Sequence, residues 1–275
     1  MAKNVDYNAT VVERIDLTPA LAVFKIRPDE PLTEVPRFQP GQYMTIGLNN
    51  TAKPELGSVR RPMSIVSAPE EGDVFEFYVR YVSHPESDNP LTHLLWQAKA
   101  DDRIFLRSKA AGTFTLEDTV GAEDGRKKIC VAAGTGLAPF LSIIRDPETY
   151  ERFETVIVTH GVRHINDLAY SDYIKNELPN HEYIGEQVKN QLKYYPTVTR
   201  ESFEHNGRLT ELLDSGKLCE DLGLPPLNPE HDRALVCGGP QMLEDIVKLL
   251  ESRGFKEGSS HEPADYTIER AFVEK

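Results

Sequence analysis

The chain has 275 residues, of which 39% are hydrophobic and 27% charged, a balance typical of globular proteins rather than disordered or fibrous ones. Its formal net charge of −13 argues against nucleic-acid binding, because phosphate contacts need clustered Lys and Arg. No stretch approaches the roughly 18 consecutive apolar residues of a membrane helix, and the first residues contain no apolar signal core. We therefore expect a cytoplasmic protein that binds neither a membrane nor a nucleic acid.

The cysteine and histidine positions argue against a metal or cluster site. Cys130, Cys219 and Cys237 stand far apart, whereas an iron–sulfur cluster usually needs four closely grouped thiolates. His160 and His164 stand four apart, but at a predicted strand end, where the helical spacing of a metal site is not expected. We predict no metal, and we expect any cluster chemistry to belong to another protein.

The first part of the chain is rich in β-forming residues, separated by turns that contain Pro or Gly. In one segment, every second residue from Phe75 to Tyr81 would share a face of the strand. One helical stretch is predicted, from Thr92 to Lys99. The pattern predicts a small antiparallel β-barrel domain over residues 1–122. Its six predicted strands are ATVVERIDL, LAVFKIRP, QYMTIGL, RPMSIVS, VFEFYVRYV and DRIFLRS.

The pattern changes after a polar, glycine-containing linker at residues 121–128. Apolar strands then alternate with helical stretches, from ICVAA and APFLSIIRD, through TVIVTHGV and AYSDYIKNEL, to RALVCGG and PQMLEDIVKLLESRG. Repeated strand–helix units predict a doubly wound parallel-sheet α/β domain over residues 123–275. Such domains bind ligands at the carboxyl ends of their strands, so the second domain is a candidate for nucleotide binding.

Two glycine-containing turns at predicted strand ends are candidates for contact with that ligand. Residues 134–136, Gly-Thr-Gly, follow a strand and open a helix, where glycines admit a pyrophosphate and free N–H groups bind an anion. Residues 237–240, Cys-Gly-Gly-Pro, lead into the last helix and would allow a planar ring to approach. Each has a structural alternative: a tight strand-to-helix turn in the first, and a buried cysteine at a tight turn in the second.

Several arginines are candidates for phosphate binding. Arg61 begins the segment RPMS in the β-rich part, where a guanidinium group can hold a phosphate through two hydrogen bonds. Arg163, Arg200 and Arg208 each stand near a predicted strand end, and converging guanidinium groups are what the 2′-phosphate of NADP requires. Taken singly, each arginine is more often a solvated surface charge.

In this order, the segments resemble the ferredoxin–NADP⁺ reductase family, and most closely its bacterial type, also called flavodoxin reductase. RPMS looks like the family's R-x-Y-[ST] flavin motif, AGTGLAPF like its nucleotide loop, and VCGGPQM like its C-G-x-P-x-M segment. Residues 265–275, which end in AFVEK, resemble the extended tail of one bacterial subclass. The resemblance covers nearly the whole chain, and it implies an FAD-dependent oxidoreductase that uses NADP(H).

On the flavin side, the resemblance implies roles for RPMS and for two later segments. Arg61 would contact the FAD pyrophosphate, and Ser64 would lie near flavin N5, where the hydride arrives. Pro62 and Met63 complete the motif. The other flavin positions would line the ribose and adenine side or begin a phosphate-binding helix: Arg80, Tyr81, Val82, Leu91 and Thr92.

On the nucleotide side, the resemblance places Thr135 between the flavin and the incoming nicotinamide, with Cys237 touching that ring. Ala271 and Phe272 match the subclass tail, which packs over the flavin and must yield for the nicotinamide to stack. The predicted catalytic positions are therefore Ser64, Cys237, Ala271 and Phe272. The NADP-specific and turn positions are Val162, Arg163, Thr199, Arg200, Arg208, Gly238, Gly239 and Pro240.

Two features depart from the family pattern. Met63 stands where the family usually has a Tyr stacked on the isoalloxazine ring. A methionine sulfur can lie against an aromatic ring, but it supplies neither a π-face nor a hydroxyl. The family's affinity for FAD is therefore not carried over to this chain. The stretch Thr51–Val59 is also long for its connection, and the sequence assigns it no role.

The resemblance implies electron exchange with an external ferredoxin or flavodoxin. Three alternatives stay open: an NADH-linked flavin reductase that feeds an oxygenase or a haem protein, an electron-transfer subunit like that of dihydroorotate dehydrogenases, and a structural protein that lost its cofactor. Basic residues of the first domain form a candidate docking patch, although a solvated strand edge explains them equally well. They are Arg60, Lys99, Arg103, Arg107 and Lys109.

Overall fold

The computed structural model describes residues 3–32, 37–116, 127–259 and 262–270. The chain forms two compact units, the first ending at Gly112 and the second beginning at Thr113. Phe114 belongs to the second unit, where its ring packs edge-on against Phe140 with the centroids 5.5 Å apart. The predicted boundary, between residues 122 and 123, lies outside the described ranges. Within these ranges we find no helix with the length and apolar character that crossing a membrane requires.

The strands of the first unit form one antiparallel sheet that closes on itself. They are β1 (Ala9–Thr18), β2 (Leu21–Pro28), β3 (Tyr43–Asn49), β4 (Ser58–Ser64), β5 (Phe75–Arg80) and β6 (Arg103–Leu106). Their order in the sheet is β4-β3-β6-β1-β2-β5. Ile65, which follows β4, forms an antiparallel bridge with Phe77 of β5, so the two outer strands meet. The predicted antiparallel barrel is confirmed.

The barrel core is built from alternate residues of its strands. Phe75, Phe77 and Val79 of β5 all belong to this core, as the alternation predicted. Tyr81, the fourth residue of that series, lies one residue beyond the end of β5 and is half-buried. The prediction of a shared face is therefore confirmed for the three residues within the strand.

The connection between β3 and β4 is shorter than the sequence indicated. β4 begins at Ser58, which pairs with Asn49, so the strand extends before the RPMS segment. Asn50 closes the intervening loop, because its side-chain oxygen accepts a hydrogen bond from Lys53 N at 2.8 Å. The amide nitrogen of Asn50 donates to Asn89 Oδ1 at 2.8 Å. The loop is thereby tied to the segment that precedes α1 (Leu91–Leu95).

Gly47 of β3 leaves room for the side chain of Arg60. A Cβ at position 47 would stand 2.6 Å from Arg60 Cγ. The Arg60 guanidinium lies over the ring of Phe105, 5.9 Å from its centroid. Gly47 pairs with Arg60 on one side and with Phe105 on the other, so the three residues are neighbours across the sheet. Because Arg60 is exposed, they lie on the outer surface of the barrel.

The second unit is a parallel sheet with helices between its strands. Its strands are β7 (Lys127–Ala133), β8 (Thr155–Val162), β9 (Leu192–Val198), β10 (Asp232–Gly238) and β11 (Tyr266–Arg270). Its α-helices are α2 (Ala138–Arg145), α3 (Pro147–Arg152), α4 (Gly185–Gln191), α5 (Leu209–Asp214), α6 (Lys217–Asp221) and α7 (Pro240–Ser252). The strand order is β11-β10-β7-β8-β9. The chain thus winds outward from β7 to β9 and returns to β10 on the other side of β7, which confirms the predicted fold class.

Two predicted helices differ in the structure. The helix predicted from Thr92 to Lys99 is the shorter α1, and the chain then turns towards β6 through Asp101, which has a positive φ of 72°. In the predicted helix AYSDYIKNEL, the chain forms a π-helix over Tyr173–Glu177 and then a short 3-10 helix. Pro179 lies in that 3-10 helix, and its missing N–H prevents an α-helix from continuing.

Candidate functional site

The carboxyl ends of the parallel strands meet at one edge of the second unit. The winding direction reverses between β7 and β10, which are neighbours in the sheet. In sheets of this kind, ligands bind in the crevice at such a reversal. Cys237 pairs with Ala132, and Ala133 pairs with Gly161, so the ends of three strands are level. The segments that follow β7, β8, β9 and β10 carry the predicted nucleotide positions.

Gly136 lies in a turn that leaves no room for a side chain. A Cβ there would stand 2.4 Å from the carbonyl oxygen of Cys237 and 3.3 Å from Gly238 Cα. Packing against the end of β10 therefore requires glycine, whether or not a pyrophosphate approaches. At Gly239, by contrast, a Cβ would meet no described atom within 4 Å. Open space thus lies beside the first turn of α7.

Cys237 faces a carboxylate that the sequence analysis did not identify. β10 pairs with β11 so that Cys237 stands opposite Glu269, and the Cys237 thiol lies 3.8 Å from Glu269 Oε2. Burial raises the pKa of the Cys237 thiol well above its ordinary value, and the nearby Glu269 charge acts in the same direction. The thiol is therefore neutral at physiological pH. Only the pairing with β11, which the sequence analysis did not predict as a strand, brings Glu269 to this edge.

Arg163, Arg200 and Arg208 are all exposed at the carboxyl edge. Arg163 directly follows β8, Arg200 follows β9, and Arg208 is the N-cap residue of α5. Arg200 N donates to the carbonyl oxygen of Arg163 at 3.0 Å, which joins two of the three segments. In the part of the chain that the structure describes, none of these guanidinium groups forms an ion pair. Three positive charges are therefore available to an anionic ligand.

Val162 and Thr199 hold the same two loops together. Thr199 N donates to Val162 O at 3.1 Å, and the Thr199 hydroxyl is 3.3 Å from the same oxygen. The Val162 side chain is buried in a small cluster with Leu168 and Val198. The structure therefore gives Val162 a packing role and places Thr199, which is exposed, at the edge beside Arg200.

A further connection between the loops runs through Glu201. Glu201 Oε2 accepts a hydrogen bond from Ile165 N at 2.8 Å, and Oε1 lies 3.0 Å from His164 Nδ1. Asn206 Nδ2 donates to the Glu201 carbonyl at 2.5 Å. The hydrogen bond from Ile165, and then that from His164, hold the pKa of Glu201 below its ordinary value. Neither His164 nor Glu201 was among the predicted site residues.

In the first unit, the RPMS segment forms the end of β4. Arg61 is half-buried and donates to the neighbouring backbone carbonyl at 2.9 Å. Pro62 is exposed, and Met63 packs in part against the barrel core beside its pairing partner Met44. Ser64, the last residue of the strand, is half-buried. Of these four residues, Pro62 is therefore the exposed one, while Arg61, Met63 and Ser64 are each partly buried.

The predicted adenine-side residues form a cluster with His93. The Tyr81 and His93 rings stack, with centroids 4.6 Å apart and an interplanar angle of 9°. His93 Nε2 is 2.8 Å from Val82 O, and Val82 N lies 3.4 Å from Thr92 Oγ1. Leu91 is buried, so only its backbone can face a ligand. His93 was not predicted, because nothing in its local sequence distinguishes it from a solvated helix residue.

The remaining predicted positions divide into two groups. Arg80 is half-buried at the end of β5, Thr135 lies in the 3-10 turn after β7, and Pro240 is the first residue of α7. Ala271 and Phe272 lie outside the described residues. For these two positions the sequence prediction stands untested.

The candidate docking patch of the first unit is altered by one ion pair. Arg103 binds Asp29 through both guanidinium nitrogens, with Nη1 2.6 Å from Oδ1. The same hydrogen bonds lower the pKa of Asp29 and raise the pKa of Arg103, so both stay charged and neutralise each other. Arg60 of β4, Arg107 directly after β6, and Lys99 are exposed. Within the described residues none of these three side chains forms an ion pair, so they are the cationic groups of the patch that remain unneutralised.

Comparison with known proteins identifies relatives of this chain. Residues 130–248 match a family described as "Oxidoreductase NAD-binding domain". The chain is 47% identical over 240 residues to a ferredoxin–NADP reductase of Pseudomonas aeruginosa. This aligned region covers 87% of this chain and 88% of that protein. It is also 42% identical over 252 residues to a flavodoxin/ferredoxin–NADP reductase of Rhodobacter capsulatus. This aligned region covers 91% of this chain and 88% of that protein.

A solved structure is similar over almost the entire chain. It is a crystal structure of a ferredoxin NADP⁺ reductase from Neisseria gonorrhoeae with bound FAD and NADP. The TM-score is 0.81 at 27% sequence identity, and the similarity covers 98% of this chain and 100% of that chain. The similarity therefore extends through both the barrel and the parallel sheet.

Proposed function

The chain belongs to the ferredoxin–NADP reductase family, and from this premise we propose that it is an FAD-dependent enzyme that exchanges electrons between NADP(H) and ferredoxin. One observation carries the proposal: three exposed arginines, which form no ion pair among the described residues, lie in the segments that follow β8 and β9 at the carboxyl edge of the parallel sheet. Membership of the subclass with the AFVEK-like tail stays a prediction.

The nucleotide side of the site suits NADP(H) better than NAD(H). A 2′-phosphate carries up to two negative charges, and guanidinium groups bind such a group through charge-assisted hydrogen bonds. Arg163, Arg200 and Arg208 supply three such groups in a chain whose net charge is −13, so the positive charge is local. The open space beside Gly239 would admit the nicotinamide half of the same ligand.

The flavin side of the site suits FAD. Arg61 is half-buried, and within the described residues its guanidinium group forms no ion pair, so it is available to a diphosphate. Tyr81, stacked on His93, offers a fixed aromatic surface for the ribose and adenine half. Met63 would lie against the isoalloxazine through its sulfur, in place of the usual Tyr.

FAD, when bound, would supply both hydride and single-electron chemistry, which is what links NADPH to a one-electron carrier. The residues of this chain position the reactants. Ser64 would donate its hydroxyl hydrogen bond at the flavin edge. Cys237 would pack against the nicotinamide as a neutral thiol, because the thiolate is the nucleophilic form and the raised pKa disfavours it. Thr135 would separate the two rings until the nicotinamide stacks.

For the electron carrier, we propose ferredoxin or flavodoxin in the cytoplasm. Docking on a chain of net charge −13 needs a local cationic surface. Arg60, Lys99 and Arg107 are the members of the basic patch that no acid neutralises among the described residues. Replacing both arginines by Glu should raise the KM for a ferredoxin and reduce its salt dependence. An unchanged KM would place the carrier on another surface.

The proposal is tested by an absorbance scan and two titrations of the purified protein. We expect a yellow protein with flavin bands that NADPH bleaches more readily than NADH, and that reduces a ferredoxin when NADPH is supplied. Colourless protein that ignores both nucleotides would refute the proposal. Equal use of NADH, with an oxygenase component as the preferred acceptor, would favour the NADH-linked alternative.

The roles of Ala271 and Phe272 are a separate part of the proposal. Removal of residues 271–275 should change the rate at which NADPH reduces the flavin, because the tail of the resembling subclass must yield to the nicotinamide. Identical reduction kinetics in rapid-mixing experiments would exclude that role.

A further inference from the structure

Glu201 stands where a carboxylate is electrostatically unfavourable. It directly follows Arg200, and its side chain reaches the loop that begins with Arg163. A carboxylate beside a phosphate site repels the phosphate. Its charge therefore weakens phosphate binding unless the carboxylate also makes contacts that favour binding. Within the described residues, Glu201 forms no ion pair with Arg163, Arg200 or Arg208. Its contacts are with the two loops themselves.

These contacts connect three stretches of backbone. Glu201 accepts hydrogen bonds from Ile165 N and from His164 Nδ1, at 2.8 Å and 3.0 Å, across 36 and 37 residues of sequence. Its carbonyl accepts a hydrogen bond from Asn206 Nδ2 at 2.5 Å. Arg200 N donates to Arg163 O at 3.0 Å immediately beside this cluster. The loops after β8 and β9, and the segment that leads to α5, are thus joined at Glu201.

We propose that Glu201 is a positioning residue that sets the NADP specificity of the site by holding the Arg163 and Arg200 loops in register. This inference rests on the proposed binding of NADP(H). A long arginine side chain on a loose loop must lose much conformational freedom when it binds a phosphate. Loops that are already joined reduce that loss, so a fixed carboxylate strengthens phosphate binding despite its charge.

The sign of one substitution separates this role from a purely electrostatic one. Glu201→Gln removes the negative charge, so neither contact remains charge-assisted, and its single oxygen can accept from only one of the two donors. If Glu201 acts only through its charge, the variant binds a 2′-phosphate more tightly. If it positions the loops, the variant binds a 2′-phosphate more weakly, by roughly fivefold or more for the loss of one charge-assisted hydrogen bond.

The experiment is calorimetric titration of the FAD-loaded full chain with 2′,5′-ADP and, separately, with 5′-AMP. The matched control is Glu204→Gln, which removes an exposed acid from the same loop that forms no hydrogen bond within the described residues. We expect Glu201→Gln to weaken 2′,5′-ADP selectively, while 5′-AMP binding and the melting temperature stay close to wild type. Glu204→Gln should bind 2′,5′-ADP as tightly as wild type or more tightly.

Each remaining outcome has a defined meaning. Tighter or unchanged binding of 2′,5′-ADP by Glu201→Gln overturns the positioning role. Equal weakening of both ligands also overturns it, because general disruption of the sheet edge would not distinguish a 2′-phosphate. If the wild-type protein fails to bind 2′,5′-ADP at all, the proposed NADP(H) function fails. If the wild type binds 2′,5′-ADP and the Glu201→Gln variant binds it equally tightly, only the positioning role fails.

Discussion

Arg152 and Arg163 stand at opposite ends of β8. Arg152 is the last residue of α3, shortly before β8 begins at Thr155, whereas Arg163 directly follows the last strand residue, Val162. Arg152 also forms an ion pair with Glu148 one helical turn earlier, while Arg163 forms none within the described residues. The arginine before β8 is therefore held by an ion pair, whereas the arginine after β8 has no such partner among the described residues.

This relationship supplies a matched control for the cofactor preference. We expect the double variant Arg200→Ala and Arg208→Ala to lose most of its preference for NADPH over NADH. The ratio of the two preferences, wild type to variant, should be at least about ten, because two charge-assisted contacts are removed. The kcat/KM ratio for the two nucleotides measures the preference. Arg152→Ala, which removes the same charge at the other edge of the sheet, should leave that ratio unchanged. Unaltered discrimination in the double variant would mean that the arginines are misassigned.

A second prediction concerns the two turns that approach the end of β10. Gly136→Ala places a Cβ against the Cys237 carbonyl and should lower the free energy of unfolding by about 1–3 kcal/mol, as overpacking typically does. Gly239→Ala enters open space at an ordinary φ of −69° and should fold with nearly wild-type stability. Chemical denaturation compares the two. A stable Gly136→Ala protein would show that the turn moves freely away from β10.

A third prediction concerns Met63. Met63→Tyr should bind FAD about 2–10-fold more tightly, because an offset aromatic pair contributes about 0.5–1.5 kcal/mol beyond the area that it buries. Titration of the flavin-free protein, followed by quenching of flavin fluorescence, measures the dissociation constant. Met44→Leu is the control, since Met44 pairs with Met63 but is fully buried in the barrel. Weaker FAD binding by a normally folded Met63→Tyr protein would contradict the assignment of this surface to the isoalloxazine.

A fourth prediction follows from the raised pKa of the Cys237 thiol. Since the native state keeps the proton and the unfolded state releases it near the ordinary pKa, any stability linked to this group is present below that value and is lost as the pH rises above it. We therefore expect Cys237 in the native protein to resist alkylation at about pH 8, where an exposed thiol of ordinary pKa reacts. Mass-spectrometric mapping of the alkylated cysteines, before and after unfolding, measures this. Rapid native labelling at Cys237 would show that the thiol is neither buried nor protonated.

Local sequence patterns predicted the strands and helices but not the side-chain contacts between them. The alternation of Phe75, Phe77 and Val79 and the strand–helix repeats were sufficient for the barrel and the parallel sheet, because burial on one face leaves a period in the sequence. The predicted arginines also lie at one edge, because parallel strands bring their carboxyl ends together. Such rules depend on residues close in sequence.

The residues that the sequence analysis missed act through distant pairing. Glu269 meets Cys237 only because β11 adds to the sheet in register, and Glu201 meets His164 across 37 residues. Gly136 looked like a ligand-binding glycine, yet its close neighbour is the Cys237 carbonyl. No period or spacing in one sequence specifies such contacts, since they follow from the three-dimensional register of elements that form separately.

Gly47 and Arg60 occupy one space on the barrel surface, and this restricts how the surface can evolve. Any residue larger than glycine at position 47 would displace the Arg60 stem from its place beside Phe105. A larger residue at position 47 is therefore tolerated only if Arg60 changes as well, whereas Arg60 can be replaced while Gly47 stays. An arginine at position 60 therefore requires a glycine at position 47, so the positive charge of this surface is kept only while the strand keeps that glycine.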